Sequence, residues 1–144
     1  MQIKFKKLHP DAVAPEQGTP GSAGFHLFVR DYEHTETSYG NYMIRYYSGI
    51  AVEIPKGYVG LVFPRSSICN MAIRLTNAVG VIDSDYRGEI TGVFDAAHGI
   101  LGIYEIGMRF AQLVIVPIPE VEYIEVEELT PTERGAVGYG STGK

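Results

Sequence analysis

The sequence predicts an all-β protein, a sandwich or a barrel, on three observations. Its 144 residues include 17 glycines and eight prolines, and the prolines fall as punctuation at positions 10, 15, 20, 55, 64, 117, 119 and 131. Between them lie short runs rich in Val, Ile, Tyr and Phe, the usual strand formers. Only one stretch carries a helical period, so helices are not available to cover the sheets.

Each element follows in order. Residues 49–54 set Ile50, Val52 and Ile54 against Gly49, Ala51 and Glu53, the alternation of a half-buried strand. Pro55, Lys56 and Gly57 then form a turn. Residues 58–63 and 89–94 are two further strand candidates. Residues 110–117 are nearly continuously apolar, as expected of a strand covered on both faces. Residues 121–127 alternate imperfectly and are heavily acidic, a strand with a solvated face. The helical period belongs to Ile68, Met71, Ala72 and Leu75, one short helix of about two turns between Pro64 and Asn77. Residues 31–47 hold five tyrosines with charges and no clean period, reading as a surface hairpin or a long loop. Residues 130–144 have four glycines and almost nothing to bury. They read as a flexible glycine-rich C-terminal arm appended to a β domain of residues 1–129.

Composition excludes several classes. With 45% hydrophobic and 20% charged residues, the chain is a soluble globular protein rather than a disordered one. Its longest apolar stretches, such as 113–118, fall far short of the ~20 residues of a membrane span. The basic start at residues 1–7 has no apolar run behind it, so a cytoplasmic location is expected. Cys69 is the single cysteine, which excludes an internal disulfide, and the four histidines are scattered rather than grouped for a metal. A net charge of −5 argues against a nucleic-acid grip. A small anion held by a few local cations stays open.

Five segments carry polar groups suited to chemistry. The richest runs from Asn77 to Glu89 and gathers Asp83, Asp85, Tyr86 and Arg87 behind apolar Val81 and Ile82. It reads either as an ordinary hairpin turn or as a carboxylate held at a rigid strand end. Arg65, Ser66 and Ser67 open the short helix, where backbone N–H groups and a guanidinium suit an anion, or where a serine simply caps. Arg109 and Gln112 interrupt an apolar strand, reaching solvent or orienting a water. Residues 138–144 match most of a phosphate-binding loop, but no Ser/Thr follows Lys144 and no helix comes after, so that reading is rejected. Around His26, Pro20 to Leu27 read as a loop entering a strand.

Taken together and in order, these segments resemble the trimeric dUTP pyrophosphatase (dUTPase) family over about residues 20–143. The most specific match is Asn77, Gly80, Ile82, Asp83, Ser84, Asp85, Tyr86, Arg87, Gly88 and Glu89, close to the family's third motif. Pro64 to Ser67 resemble the second motif, and Arg109, Ala111 and Gln112 the fourth. Arg134, Gly135, Gly138, Tyr139, Gly140, Ser141, Thr142 and Gly143 resemble the fifth. The resemblance implies a jelly-roll-like β-barrel, assembled as a homotrimer whose active sites combine residues of more than one chain. It implies hydrolysis of dUTP to dUMP and pyrophosphate by water attack on the α-phosphate. Mg²⁺ on the triphosphate is the implied cofactor, and the implied role is to keep uracil out of DNA and supply dUMP.

By motif match, Asp83 is the implied base for the attacking water and Gln112 lies near the α-phosphate. Asn77 with the backbone of Gly80 and Ile82 reads uracil, and Tyr86 packs under deoxyribose and rejects a 2′-hydroxyl. Arg65, Ser66 and Ser67 hold phosphates, as do Arg134, Gly140, Ser141 and Thr142, with Tyr139 over the base in place of the family's phenylalanine. Three departures stand out. His26 replaces an aspartate that helps hold Mg²⁺, which predicts weaker metal dependence and no protein-held metal. Met108 replaces an aspartate before Arg109, and Val137 replaces a glycine in the arm. Two other readings compete: a dCTP deaminase relative, and a nucleotide-binding regulatory protein with weak turnover that uses residues 31–47 to meet a protein partner.

Overall fold

The computed structural model describes residues 1–36, 42–96 and 103–138. Its strands are β1 (Lys4–Lys7), β2 (Glu16–Gln17), β3 (Phe25–Phe28), β4 (Asp31–Glu36), β5 (Tyr42–Tyr47), β6 (Ile50–Glu53), β7 (Tyr58–Pro64), β8 (Ile73–Leu75), β9 (Gly80–Ile82), β10 (Thr91–Ala96) and β11 (Arg109–Pro117). The described sheets have the orders β4-β5-β10-β8, β2-β3-β11-β7-β9 and β1-β6, and their described pairings are antiparallel. This is the all-β architecture that the strand pattern predicts, and it agrees with the jelly-roll-like fold that the family resemblance implies. Most partners are distant in sequence, as with β3 and β11 or β1 and β6.

The four- and five-stranded sheets share one core. Tyr46 and Phe94 from the first and Leu27, Val62 and Phe110 from the second are fully buried there. The Tyr46 ring meets Phe94 at 5.4 Å and Phe110 at 5.6 Å between centroids, bridging the sheets. Such aromatic pairs each add about 0.5–1.5 kcal/mol beyond the area they bury.

Residues 31–47 resolve toward the hairpin reading: β4 pairs with β5 from Asp31↔Tyr47 to Glu36↔Tyr42. One strand is more deeply placed than alternation predicts. Ile50, Ala51 and Val52 are all buried, because Phe5 and Lys6 of β1 pair across Val52 and Ala51 on the strand's edge. Gly49 enters that strand with φ +69°, and a Cβ there would sit 2.7 Å from the Ala12 Cβ. No residue but glycine fits that combination without a shift.

Two sequence expectations are corrected. The predicted two-turn helix is a 3-10 helix over Ser66–Asn70, and Ile73–Leu75 is strand. Ile73 and Leu75 flank exposed Arg74 and pair with Ala96 and Phe94, so long-range pairing overrides a coincidental helical spacing. Residues 121–127 form no strand. They lie exposed, with Tyr123 at 97% of its full accessibility, because no strand edge within the described chain pairs with them.

Candidate active site

β7 lies between β11, the central strand of the five-stranded sheet, and the edge strand β9. Its C-terminal end delivers Arg65, Ser66 and Ser67. Across from it, β11 places Gln112 opposite Phe63, and the Gln112 Nε2 donates to the Pro64 carbonyl at 3.2 Å. On the other side of β11, His26 of β3 pairs with Gln112. The Arg65 Nη1 reaches the Arg109 carbonyl at 3.4 Å. Arg65, Ser67, Arg109, Gln112 and His26 therefore converge at one end of the sheet.

The helix-terminus reading of this segment does not hold. The 3-10 helix spans five residues, and Arg65 at its N-cap makes no side-chain capping bond. What marks the locus is unmet hydrogen bonding. Among the described residues, four buried side-chain polar atoms lack a partner: Arg65 Nε, His26 Nδ1, Tyr104 Oη and Arg30 Nε. Buried polar atoms are nearly always paired. Three of these four belong to residues that sense the Arg65 charge or carry it. The His26 imidazole is held below its usual pKa by burial first and then by Arg65 and Arg109, with Glu16 opposing. It is thus a neutral hydrogen-bonding group between two arginines.

A second locus follows β9. There the Tyr86 N–H donates to the Asp83 carbonyl at 3.1 Å, closing a turn. Arg87 staples the same turn by donating to the Ser84 carbonyl at 2.7 Å and the Tyr86 carbonyl at 2.9 Å. The Tyr86 hydroxyl donates to the Glu89 carbonyl at 3.1 Å. The Glu89 carboxylate accepts the Gly49 N–H at 2.6 Å, and the Ile90 N–H donates to the Ile50 carbonyl, so the return leg is tied to β6. Asp83 and Tyr86 stand exposed on this self-stapled turn. Before β9, Ala78 takes φ 59°, an uncommon conformation for a residue with a Cβ, directly after Asn77.

One chain does not bring the two loci together. Ile82 pairs with Gly60 while Gln112 pairs with Phe63 on the opposite side of β7. Two strand spacings and about four strand positions put Asp83 roughly 15 Å from Gln112. Asp83 therefore does not act on the same atom as the Gln112 of its own chain.

Of the arm, residues 130–138 are exposed, and their described hydrogen bonds close on themselves. Gly135 donates to the Thr132 carbonyl at 3.1 Å, and the Arg134 Nε donates to the Val137 carbonyl at 3.1 Å. Val137 avoids positive φ, and Gly135 supplies it instead at 55°. Tyr139, Gly140, Ser141 and Thr142 lie outside the described residues. Met108 uses its backbone, accepting from the Val29 N–H at 2.8 Å, so its side chain is free to vary.

Among the described residues, no three His, Cys, Asp or Glu side chains gather to hold a metal. Mg²⁺ takes six oxygen ligands, and the anion locus offers an imidazole and two guanidiniums instead. The described residues do not form a protein-held Mg²⁺ site.

The dUTPase family model matches residues 11–143. The chain belongs to the dUTPase family. It is 38% identical over 144 residues to the deoxyuridine 5'-triphosphate nucleotidohydrolase of Hydrogenobaculum sp., covering 99% of each chain. It is 41% identical over 145 residues to the enzyme of the same name from Nautilia profundicola, covering 100% of each. In structure it is similar to the dUTPase of Staphylococcus bacteriophage 80alpha bound to dUPNHPP, with a TM-score of 0.81, 30% identity and 99% of each chain covered. Against that family background, sequence reasoning passed over Tyr104 and Ala78. Each acts through a hydrogen bond or a backbone angle set by residues far away in the chain, which no local pattern encodes.

Proposed function

We propose that this chain hydrolyses dUTP to dUMP and pyrophosphate. Membership of the dUTPase family across residues 11–143 carries this reading. The unpartnered buried Arg65 Nε supports its phosphate half. Neither the deaminase nor the regulatory reading is favoured.

The residues divide the work by locus. Arg65, Ser66, Ser67 and Gln112 hold the phosphates, with guanidinium and hydroxyl donors aimed at anionic oxygens. The Asn77–Glu89 hairpin holds the nucleoside. Asn77 and the backbone of Gly80 and Ile82 read the uracil edge, and Tyr86 packs under deoxyribose and leaves no room for a 2′-hydroxyl. Asp83 orients the attacking water and accepts its proton. Arg134, Tyr139, Gly140, Ser141 and Thr142 close over the triphosphate and the base from the arm, residues 130–144, which is separate from the β domain of residues 1–129. Mg²⁺ enters as part of the substrate, on the triphosphate.

The separation of Asp83 from Gln112 supports a site shared between chains. A homotrimer juxtaposes the hairpin of one chain with the arginine cluster of another, and the arm then reaches across. The exposed apolar side chains of residues 118–129 support the same assembly, since Val121, Ile124 and Leu129 need cover. No described helix is long and apolar enough to cross a membrane.

The test is pyrophosphate release from dUTP beside dCTP, dTTP and UTP across a Mg²⁺ series. We expect dUTP-selective release that Asp83→Asn lowers by about 10²-fold or more. We also expect His26→Asp to reach half-maximal rate at lower Mg²⁺ than the natural chain. Equal rates on all four nucleotides, or full activity in Asp83→Asn, would sink the reading.

A further inference from the structure

The chain changes sheets between β8 and β9, and one residue in that crossing holds a backbone angle that its side chain disfavours. β8 belongs to the four-stranded sheet and β9 to the five-stranded sheet, so residues 76–79 carry the chain from one to the other. Both ends of the crossing are pinned. The Thr76 N–H donates to the Val93 carbonyl of β10 at 2.9 Å, and its hydroxyl donates to the Asp95 Oδ1 at 3.1 Å. Gly80 is already paired with Val62 of β7. Between these anchors the Ala78 N–H donates to the Leu75 carbonyl at 3.0 Å, and the Val79 N–H donates back to the Asn77 carbonyl at 2.6 Å. The second bond closes a γ-turn on Ala78, whose φ is 59°. A positive φ at the centre is the rare and strained form of that turn. Among the described residues, Ala78 alone has a positive φ without being glycine.

Strain of this kind persists only where its surroundings hold it, and it gathers at active sites and ligand clamps. Ala78 is exposed, so packing of its methyl group does not explain an alanine there. What the turn sets is the side chain before it. A Cβ at Gly80 would lie 3.2 Å from the Val62 Cβ and 3.7 Å from the Asn77 Nδ2. The Asn77 amide therefore folds back over the first residue of β9. Among the described residues, no hydrogen bond uses that amide. It is exposed and is aimed by the backbone alone. Glycine at the centre of the turn would open further backbone states, whereas alanine leaves few that close between the anchors.

We propose that Ala78 is a positioning residue for base recognition: its left-handed turn holds the Asn77 amide over Gly80, ordered before a pyrimidine base arrives. The proposal rests on the reading that Asn77 and Gly80 meet the uracil edge. It concerns binding of the base, not bond cleavage.

The experiment measures Tm, dUTP hydrolysis, and calorimetric binding of dUMP and of inorganic tripolyphosphate, all on the full chain. The variants are Ala78→Gly, Ala78→Asn and Asn77→Ala. Ala78→Gly is expected to raise Tm, because it relieves the positive φ. It is also expected to raise KM for dUTP and Kd for dUMP by about 3- to 10-fold, because the segment must then be ordered on binding. The kcat should change by less than about twofold and the tripolyphosphate Kd should not move, since only binding of the base is touched. Asparagine tolerates positive φ without glycine's freedom, so Ala78→Asn should keep the dUMP Kd within about twofold of the natural chain.

A turn that serves only the crossing between sheets predicts a higher Tm with unchanged KM and Kd, and that result overturns the proposal. A lower Tm in Ala78→Gly overturns it too, because the alanine is then unstrained. So does a loss in Ala78→Asn as large as that in Ala78→Gly, which assigns the effect to the side chain rather than to the freed backbone. If Asn77→Ala weakens dUMP while Ala78→Gly does not, only the role of Ala78 falls. If Asn77→Ala leaves the dUMP Kd unchanged, the uracil reading falls and takes the proposal with it.

Discussion

Tyr86 is held from two sides: its hydroxyl donates to the Glu89 carbonyl, and its ring lies over Gly88. A Cβ on Gly88 would overlap the Tyr86 hydroxyl and ring. Gly88→Ala is therefore expected to push the ring from its seat and lower the dUTP-over-UTP preference about tenfold or more, because a displaced ring no longer clashes with a 2′-hydroxyl. Relative kcat/KM for the two nucleotides checks this; an unchanged ratio would mean that the ring does not discriminate the sugar. His26 gives a second prediction at this scale. Its folded pKa lies below the ordinary 6.5, so the unfolded chain binds the proton first. Stability contributed by neutral His26 is present above pH 6.5 and is lost as pH falls through the lower folded value. Tm should drop from pH 7 toward pH 5, and His26→Gln should flatten part of that slope.

At the scale of elements, the join between β6 and the segment entering β10 fixes the nucleoside hairpin. Ser48 is buried there, donating to the Ile90 carbonyl at 2.6 Å and accepting the Ile50 N–H at 3.1 Å. Ser48→Ala removes the acceptor of the Ile50 N–H, while the Ile90 carbonyl keeps the Ser48 N–H at 3.3 Å, and is expected to cost about 1–3 kcal/mol, read by urea denaturation. A loss under a few tenths would show that the backbone pairs hold the join unaided. The same scale explains one misreading. Ile68, Met71, Ala72 and Leu75 have a helix's spacing, but β10 offers an open edge to Ile73 and Leu75. Pairing satisfies their backbone groups and buries both side chains, whereas so short an isolated helix is unstable.

At the scale of the whole molecule, the separation of the two loci and the exposed apolar run after β11 belong together. Leu129 is 87% accessible in the single chain, and Ile118, Val121, Ile124 and Val126 are exposed with it. In the proposed homotrimer, contact between copies covers them, and the same contact would complete each site. Sedimentation should therefore give a particle of three times the 15.8 kDa chain. Ile124→Glu with Leu129→Glu should lower both that mass and the dUTP turnover. A fully active monomer would refute the shared site.

The sequence by itself determined the fold class, because strand alternation and proline punctuation are local and survive any arrangement of neighbours. It also determined the family, since the hairpin from Asn77 to Glu89 keeps its chemistry in one contiguous run. Its reading of Arg65 to Ser67 as an anion site at a helix start stays a proposal: the structure gives a five-residue 3-10 helix there and leaves the Arg65 Nε without a partner. Tertiary structure alone decided the rest. The separation of roughly 15 Å between Asp83 and Gln112 depends on the register across β7, with Ile82 facing Gly60 and Gln112 facing Phe63. The burial of Tyr104 depends on the Tyr46 and Phe94 rings that meet it edge-on. Both join residues far apart in the chain, and no local pattern records which distant partner a strand or a side chain will meet.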